Sequence, residues 1–432
     1  MRLDTARRAR VLGAVAAATL ALVAGGLATH EGAAAATSEA LLCEANAQQI
    51  FSLTARPGFV STPDGNSILM WSYGMSTRGF QLPGPTLCVE SGRPVTVILH
   101  NALPEGTSII FPGQLGVKAD GNPAQPEFDA FGSLTSLVHA APATNGSVTY
   151  TFTAGKPGTY LYASGTDVRK QTQMGLYGAL VVRPAGHASQ VNDRTDSTFN
   201  PSHEYAFLLS EVDPEVHLAV ERDQKVNWND YNARYFMING RSMPDTLAPN
   251  NASWLPNQPY GALVHIRPWD ATTNPLPAVI RYLNAGTVNY PFHPHGSDER
   301  VINKDGRALQ GAAGQDVGYL KYDIDVKPGQ TVDALMDWRD VDAWNPVTNP
   351  LPTELPVITD QLLVGTDTWF SESPYLGQKN QLPANITSLN ECGEYYHVAH
   401  SHALQQATNY GAAFGGMMTV FRIDPPSGCP AN

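Results

Sequence analysis

The stretch Tyr290-Pro291-Phe292-His293-Pro294-His295-Gly296 sets the reading of this chain. Aromatic or apolar residues alternate with histidine, and a glycine closes the run. In a β-strand, residues two apart share a face, so His293 and His295 present two imidazoles side by side. A second stretch, Tyr395-Tyr396-His397-Val398-Ala399-His400-Ser401-His402, repeats the device with His400 and His402. One H-x-H pair is commonly ordinary surface or core histidine. Two pairs from strands that can lie side by side make a four-nitrogen site, and imidazole ligates copper, zinc, iron or nickel. His397, three residues before His400, reads as structural.

Outward from these runs, the chain reads as short strands between turn residues. Pro94–His100 is β-branched and apolar, and Ser147–Phe152 alternates polar with apolar as a half-buried strand does. Gly158–Tyr162 and Gly178–Val182 follow, the latter a continuous apolar strand. The second half adds Tyr205–Leu209, Ala278–Leu283, Thr331–Met336 and Met417–Ile423. With 38 Gly, 33 Pro and only 15% charged residues, the composition suits a globular all-β chain, a sandwich or barrel. The polar run from Pro184 to Ser202 reads as a linker, giving domains over 37–185 and 204–432 with 186–203 between them. A segment from Asp337 to Asn390, rich in Pro, Asn, Asp and Trp, is too long for an ordinary β connection. It reads either as a functional loop or as a decoration packed on the sandwich.

Residues 1–36 read as a signal peptide. Arg7, Arg8 and Arg10 make a positive start, Val11 to Ala28 is an apolar run, and Ala33-Ala34-Ala35-Ala36 offers small residues for cleavage. A membrane anchor is the competing reading of that run. Arg7-Arg8 hints at twin-arginine export, but the residues after it fit that signal poorly. The expectation is a secreted or extracytoplasmic protein with no membrane span in its mature form. The four cysteines contain no CxxC pair, so export favours disulfides over a zinc site. Of the possible pairings, Cys43–Cys88 with Cys392–Cys429 is favoured, one bridge per domain. The net charge of −12, without runs of like charge, argues against nucleic acid or an anionic membrane as partner.

The histidine blocks resemble those of the multicopper oxidases, which carry an H-P-x-H-x-H-G block and a later H-C-H-x-x-x-H block followed by G-M. The resemblance extends through Leu82-Pro83-Gly84-Pro85-Thr86, Asn101-Ala102-Leu103-Pro104, Thr107-Ser108-Ile109, Pro157-Gly158-Thr159-Tyr160 and Gly175–Leu180 in the first half. In the second half it takes in Ile238-Asn239-Gly240-Arg241 and Leu283-Asn284-Ala285-Gly286. It implies an all-β fold of two cupredoxin-like Greek-key β-sandwich domains. By the family pattern His293 fits a type 2 copper ligand, and His295, His400 and His402 fit type 3 ligands.

The departures from the family pattern bear on chemistry. Where the family places H-W-H and H-S-H in its first domain, this chain has Ile110-Phe111-Pro112 and Ala163-Ser164-Gly165. At the blue copper positions Tyr290 replaces the first histidine, Ser401 the cysteine, and Gln406 stands near the second histidine. Only Met417 or Met418 remains as an axial candidate. A blue site is defined by thiolate, which a serine hydroxyl cannot replace. Met174, Met417 and Met418, and likewise Tyr160 and Tyr162, read as core packing rather than copper or redox groups. Asp298 and Glu299 could orient a histidine from behind, though a solvated surface position is the plainer reading.

Two readings of function stay open on these residues. In one, His293, His295, His400 and His402 hold copper in a reduced His-only site, and the protein is a copper-dependent oxidoreductase but no standard laccase. Its open coordination positions would take oxygen, a phenol or a small inorganic species. In the other, it is a non-catalytic secreted binding or copper-handling protein. Trimers are common among two-domain members of the family. A homo-oligomer is compatible with the resemblance but not implied by it, because every copy lacks the first-domain histidines.

Overall fold

The alternation read in the sequence is visible strand by strand in the computed structural model, which describes residues 40–339, 363–364, 367–368, 395–413 and 415–424. Ile50–Ser61, Pro94–Asn101 and Gly146–Thr153 bury every second residue over most of their length. Such strands lay one face on a core and the other toward solvent. They form a six-stranded sheet in the order Ser67–Met75, Ile50–Ser61, Pro94–Asn101, Gly146–Thr153, Lys118–Ala119, Asn122–Pro123. A three-stranded sheet of Gly158–Ala163, Tyr177–Arg183 and Gly84–Glu90 closes over it. Phe51, Leu53, Val97, Leu99, Tyr150, Tyr162 and Leu180 fill the space between.

The second sandwich repeats the plan. Its larger sheet runs Tyr235–Ile238, Glu204–Val212, Ala278–Asn284, Thr331–Met336, Glu299–Lys304, Arg307–Ala308, with Tyr319–Lys321 also paired to Glu299–Lys304. Its smaller sheet runs Val264–Ile266, Met418–Ile423, Tyr395–Ser401, Tyr290–Pro294, Ile324–Val326. Phe207 stands 5.4–6.1 Å from the rings of Tyr282, Phe292 and Phe421 in the core between them. Each ring so buried stabilises the fold by about 1.5–3 kcal/mol. The expected all-β, two-sandwich architecture is the one observed, and each sequence-read strand falls within an observed one to within a residue.

Gly158–Ala163 and Tyr177–Arg183 are buried on both faces, which explains their continuous apolar runs. Leu161, Ala163, Tyr177 and Ala179 pack on Leu208, Val212, Leu283 and Ala285 of the second sandwich. Both sandwiches belong to one compact unit, Ser38–Cys429. A buried ionic network also joins them. Arg281, 1% exposed, donates to Glu204 Oε1 at 2.8 Å and to Asp333 Oδ1 at 3.1 Å. From the first sandwich, Arg183 reaches Glu204 at 2.8 Å, and the Thr159 hydroxyl accepts from Arg281 and donates to Asp333. Glu204 is held below the usual carboxylate range by Arg281 and Arg183, against the cost of its burial.

The segment read as a linker is packed rather than free. Val191 and Phe199 are buried against Val279, Ile302 and Leu335 of the second sandwich. A disulfide joins Cys43 to Cys88. Cys392, Cys429, residues 1–36, read above as a signal peptide, and most of the 337–390 segment lie outside the described residues.

Candidate metal centre

Pleating decides which residues of the two histidine stretches meet. In the smaller sheet of the second sandwich, Phe292 pairs with Ser401, His293 with His400, and Pro294 with Ala399. Phe292, Ser401 and Ala399 are all buried in the core. The pleat therefore turns His293, His295, His400 and His402 to the outer face together. Their rings gather there. Centroids lie 4.6 Å apart for His293–His295, 5.0 Å for His293–His402, 5.3 Å for His295–His400, 5.9 Å for His293–His400 and 6.0 Å for His400–His402.

Backbone carbonyls fix two of the tautomers. His293 Nδ1 lies 2.5 Å from the Tyr322 carbonyl, and His400 Nδ1 lies 2.9 Å from the Ser401 carbonyl. A carbonyl only accepts, so each Nδ1 carries the proton and each Nε2 keeps its lone pair. His295 Nε2 stands 3.2 Å from His400 Nε2. Two nitrogens on one tetrahedral ion with bonds of about 2.0 Å would be about 3.3 Å apart. Among the described residues, no three His, Cys, Asp or Glu side chains already surround a point closely enough to hold an ion. The rings are gathered and oriented, and sharing one ion requires them to turn further inward.

Burial favours the neutral form of two of these rings, His295 and His400, the state a ligand needs. It lowers His295 to about 4, helped by His293, His400 and His402, whose charges would repel its own. Burial likewise lowers His400, partly offset by its bond to the Ser401 carbonyl. Asp323 lies beside the cluster. Burial raises its pKa above the ordinary carboxylate value, while His402 and His293 pull it back down. Its Oδ1 is buried with no hydrogen-bond partner among the described residues. Imidazoles with carbonyl-held Nδ1 protons, next to an unpartnered carboxylate oxygen, are a donor set suited to a transition metal. The sequence reading missed Asp323. The signal was the alternation of Tyr322-Asp323-Ile324-Asp325-Val326, which puts both aspartates on the face opposite buried Ile324 and Val326.

His397 does not join the cluster. An odd offset from His400 turns it inward, where it is 2% exposed and accepts from Trp338 Nε1 at 3.0 Å. Burial holds it near 3. Its ring fills the space beside Gly296, whose φ is +84°. A Cβ there would come within 2.0 Å of the imidazole, so the glycine of the first stretch serves His397. Glu299 corrects the surface reading. It is fully buried in the core, where Tyr282 donates to it at 2.8 Å, and burial pushes it up to about 8. Asp298 is exposed. Met174, Met417 and Met418 are buried in the cores, as are Tyr160 and Tyr162.

The residues that stand where the family pattern places further ligands are engaged in contacts of their own. Ser401 donates to Gln406 Oε1 at 2.5 Å, and Gln406 Nε2 donates to the Asn289 carbonyl at 3.1 Å. The Gln406 carbonyl accepts from the Met417 amide at 2.8 Å, and Tyr290 and Met417 are wholly buried. In the first sandwich, Ile110 and Ala163 exchange backbone hydrogen bonds of 2.8 and 3.3 Å. Beneath them Ser108, Ser136 and Thr166 bond one another at 2.9–3.1 Å.

Fold and strand plan together define a two-domain cupredoxin-type protein. Residues 74–187 match the family model for multicopper oxidases. Among solved structures, the chain is similar to the blue copper oxidase of Nitrosomonas europaea, at 18% identity over 88% of this chain and 86% of that one, TM-score 0.57. It is also similar to the multicopper oxidase mgLAC, at 17% identity over 89% and 87%, TM-score 0.56. A third is the copper nitrite reductase of Nitrosomonas europaea, at 16% identity over 87% and 93%, TM-score 0.50. No curated protein matches the sequence. The chain is thus multicopper-oxidase-like in its first-domain sequence and in its fold.

Proposed function

We propose that this is an exported, copper-binding, multicopper-oxidase-like protein. In this reading His293, His295, His400 and His402 hold the metal in a His-only set, and there is no blue centre. The observation that carries the reading is the convergence of four imidazoles on one sheet face, two with Nε2 lone pairs set by backbone carbonyls. Bound copper would supply one-electron redox chemistry to an oxygen species or a phenol at the outer face. The chain's own part is to favour neutral His295 and His400 by burial and to fix the His293 and His400 tautomers through the Tyr322 and Ser401 carbonyls. Four-electron reduction of oxygen is not proposed, because Ile110, Pro112, Ala163 and Gly165 offer no ligand opposite these four. Export is supported by the Cys43–Cys88 bridge, since disulfides persist in oxidising compartments. Among the described residues no helix is long and apolar enough to cross a membrane.

Copper retained after equilibrium dialysis tests the site. The expected result is copper on the wild-type chain, none on a His293→Ala, His400→Ala double variant, and no intense blue absorption in either. Equal copper in both ends the reading. An intense blue band would require a sulfur ligand and contradict the assignment of Ser401. Phenol oxidation with and without copper then separates an oxidoreductase from a copper carrier.

A further inference from the structure

The smaller sheet of the second sandwich brings one more donor to the histidine face. Ile324–Val326 pairs antiparallel with Tyr290–Pro294, in the register Tyr290 to Val326, Pro291 to Asp325 and Phe292 to Ile324. One step further, Asp323 stands opposite His293. The Tyr322 carbonyl 2.5 Å from His293 Nδ1 holds the two segments together there. Antiparallel partners point to the same face. Ile324 and Phe292 are buried, so Asp323 and His293 both turn outward. His400 pairs with His293 on the other side. Asp323, His293 and His400 therefore form one row across three neighbouring strands, spaced by about 4.8 Å per strand.

A buried carboxylate oxygen is costly unless something neutralises it. Asp323 Oδ1 is buried and has neither a hydrogen-bond partner nor an ion pair among the described residues, and the register sets it in the row with His293. Asp325, two residues along, shares the outward face but is exposed to water and lies opposite Pro291. The pair makes a natural contrast between a shielded carboxylate in the row and a solvated one beside it.

Resting on the metal-binding reading above, we propose that Asp323 is the oxygen donor of this site and makes it a mixed imidazole–carboxylate centre. Carboxylate is a hard ligand that favours divalent ions, whereas the imidazoles alone also suit copper(I). The row thus selects Cu2+ or Zn2+ over Cu+. It also brings a negative charge that offsets the ion's charge beside the half-buried rings.

The test is metal affinity of the full chain for Cu2+, Zn2+ and, under anaerobic reductant, Cu+. It compares wild type, Asp323→Asn and Asp325→Asn, with the electron paramagnetic resonance of the Cu2+ forms. Asp323→Asn keeps the shape of the side chain, and circular dichroism checks its fold. The expected result is a loss of about ten- to hundred-fold in Cu2+ and Zn2+ affinity for Asp323→Asn. Its Cu2+ spectrum should shift toward all-nitrogen coordination, its Cu+ affinity should hardly change, and Asp325→Asn should behave as wild type. An unchanged Cu2+ affinity and spectrum in Asp323→Asn overturns the proposal while leaving the histidine site standing. So does an equal loss for Cu+ and Cu2+. A wild-type chain that binds none of the three ions overturns the histidine site itself, and Asp323 with it.

Discussion

In the first sandwich, the segments where the family pattern places histidine run straight into each other. Ile110 pairs with Ala163, and the Ile110 side chain sits where a Gly165 Cβ would lie. In the second sandwich, paired His293 and His400 turn their rings to the outer face of the sheet. The difference is one of environment. A packed place leaves no void for a ligand set, because a void there forfeits dispersion contacts and leaves polar groups unpaired. The Ser108, Ser136 and Thr166 hydroxyls satisfy one another there. On the outer sheet face four imidazoles are gathered instead, two of them bonded to backbone carbonyls. Burial, and after it the repulsion of the other three rings, lowers His295.

The comparison assumes one rigid frame, so its largest test is the network joining the sandwiches. Arg281→Met leaves Asp333 buried without its cation and Glu204 with Arg183 alone, and should cost roughly 3–5 kcal/mol in denaturant unfolding. A loss under about 1 kcal/mol would mean that the sandwiches stand independently. Next comes tolerance to volume. A Cβ at Gly165 would lie 2.7 Å from Ile110 Cγ2, 3.0 Å from Ser108 Oγ and 3.3 Å from Leu137 Cβ. Gly165→Val should therefore destabilise by about 1–3 kcal/mol. His293→Ala on the outer face should change stability by less than about 1 kcal/mol while abolishing metal retention. Equal costs at the two positions would erase the contrast between the packed place and the outer face.

The smallest effect is in pH. Glu299 keeps its proton in the folded chain up to about 8, whereas an ordinary glutamate releases it near 4.5. Between those values the folded state binds the extra proton, so stability falls as pH rises and levels off above 8. His217, packed on the first sandwich through the Leu69 carbonyl, has the opposite sense. Burial lowers it to about 4, so its contribution is lost as pH falls from 6.5 toward 4. Glu299→Gln should remove only the alkaline decline. Relative to wild type it should gain a few degrees in melting temperature at pH 8 over its value at pH 5. A pH-independent difference would place the Glu299 carboxyl in a charged state throughout.

The histidine face was readable because strand parity is a property of sequence spacing. Two residues apart means one face, so 293 with 295 and 400 with 402 needed no coordinates. The same parity could have set His397 aside and marked Asp323, since each follows from its offset to a neighbour in the strand. Glu299 could not be read in this way. A glutamate after Asp298 looks solvated, and only Tyr282, arriving from another strand, makes room for it in the core. The 184–202 segment misled for a related reason. Its polar composition is that of a spacer, while two side chains, Val191 and Phe199, anchor it.

By itself, then, the sequence determined the all-β plan, the paired imidazoles and the serine between His400 and His402, because periodicity and residue chemistry are local. Tertiary structure alone decided that Arg281 ties the sandwiches together, that Ile110 meets Ala163, and that Asp323 stands across from His293. Those contacts join residues 30 to 122 positions apart, and strand register, which no local pattern encodes, brings them together.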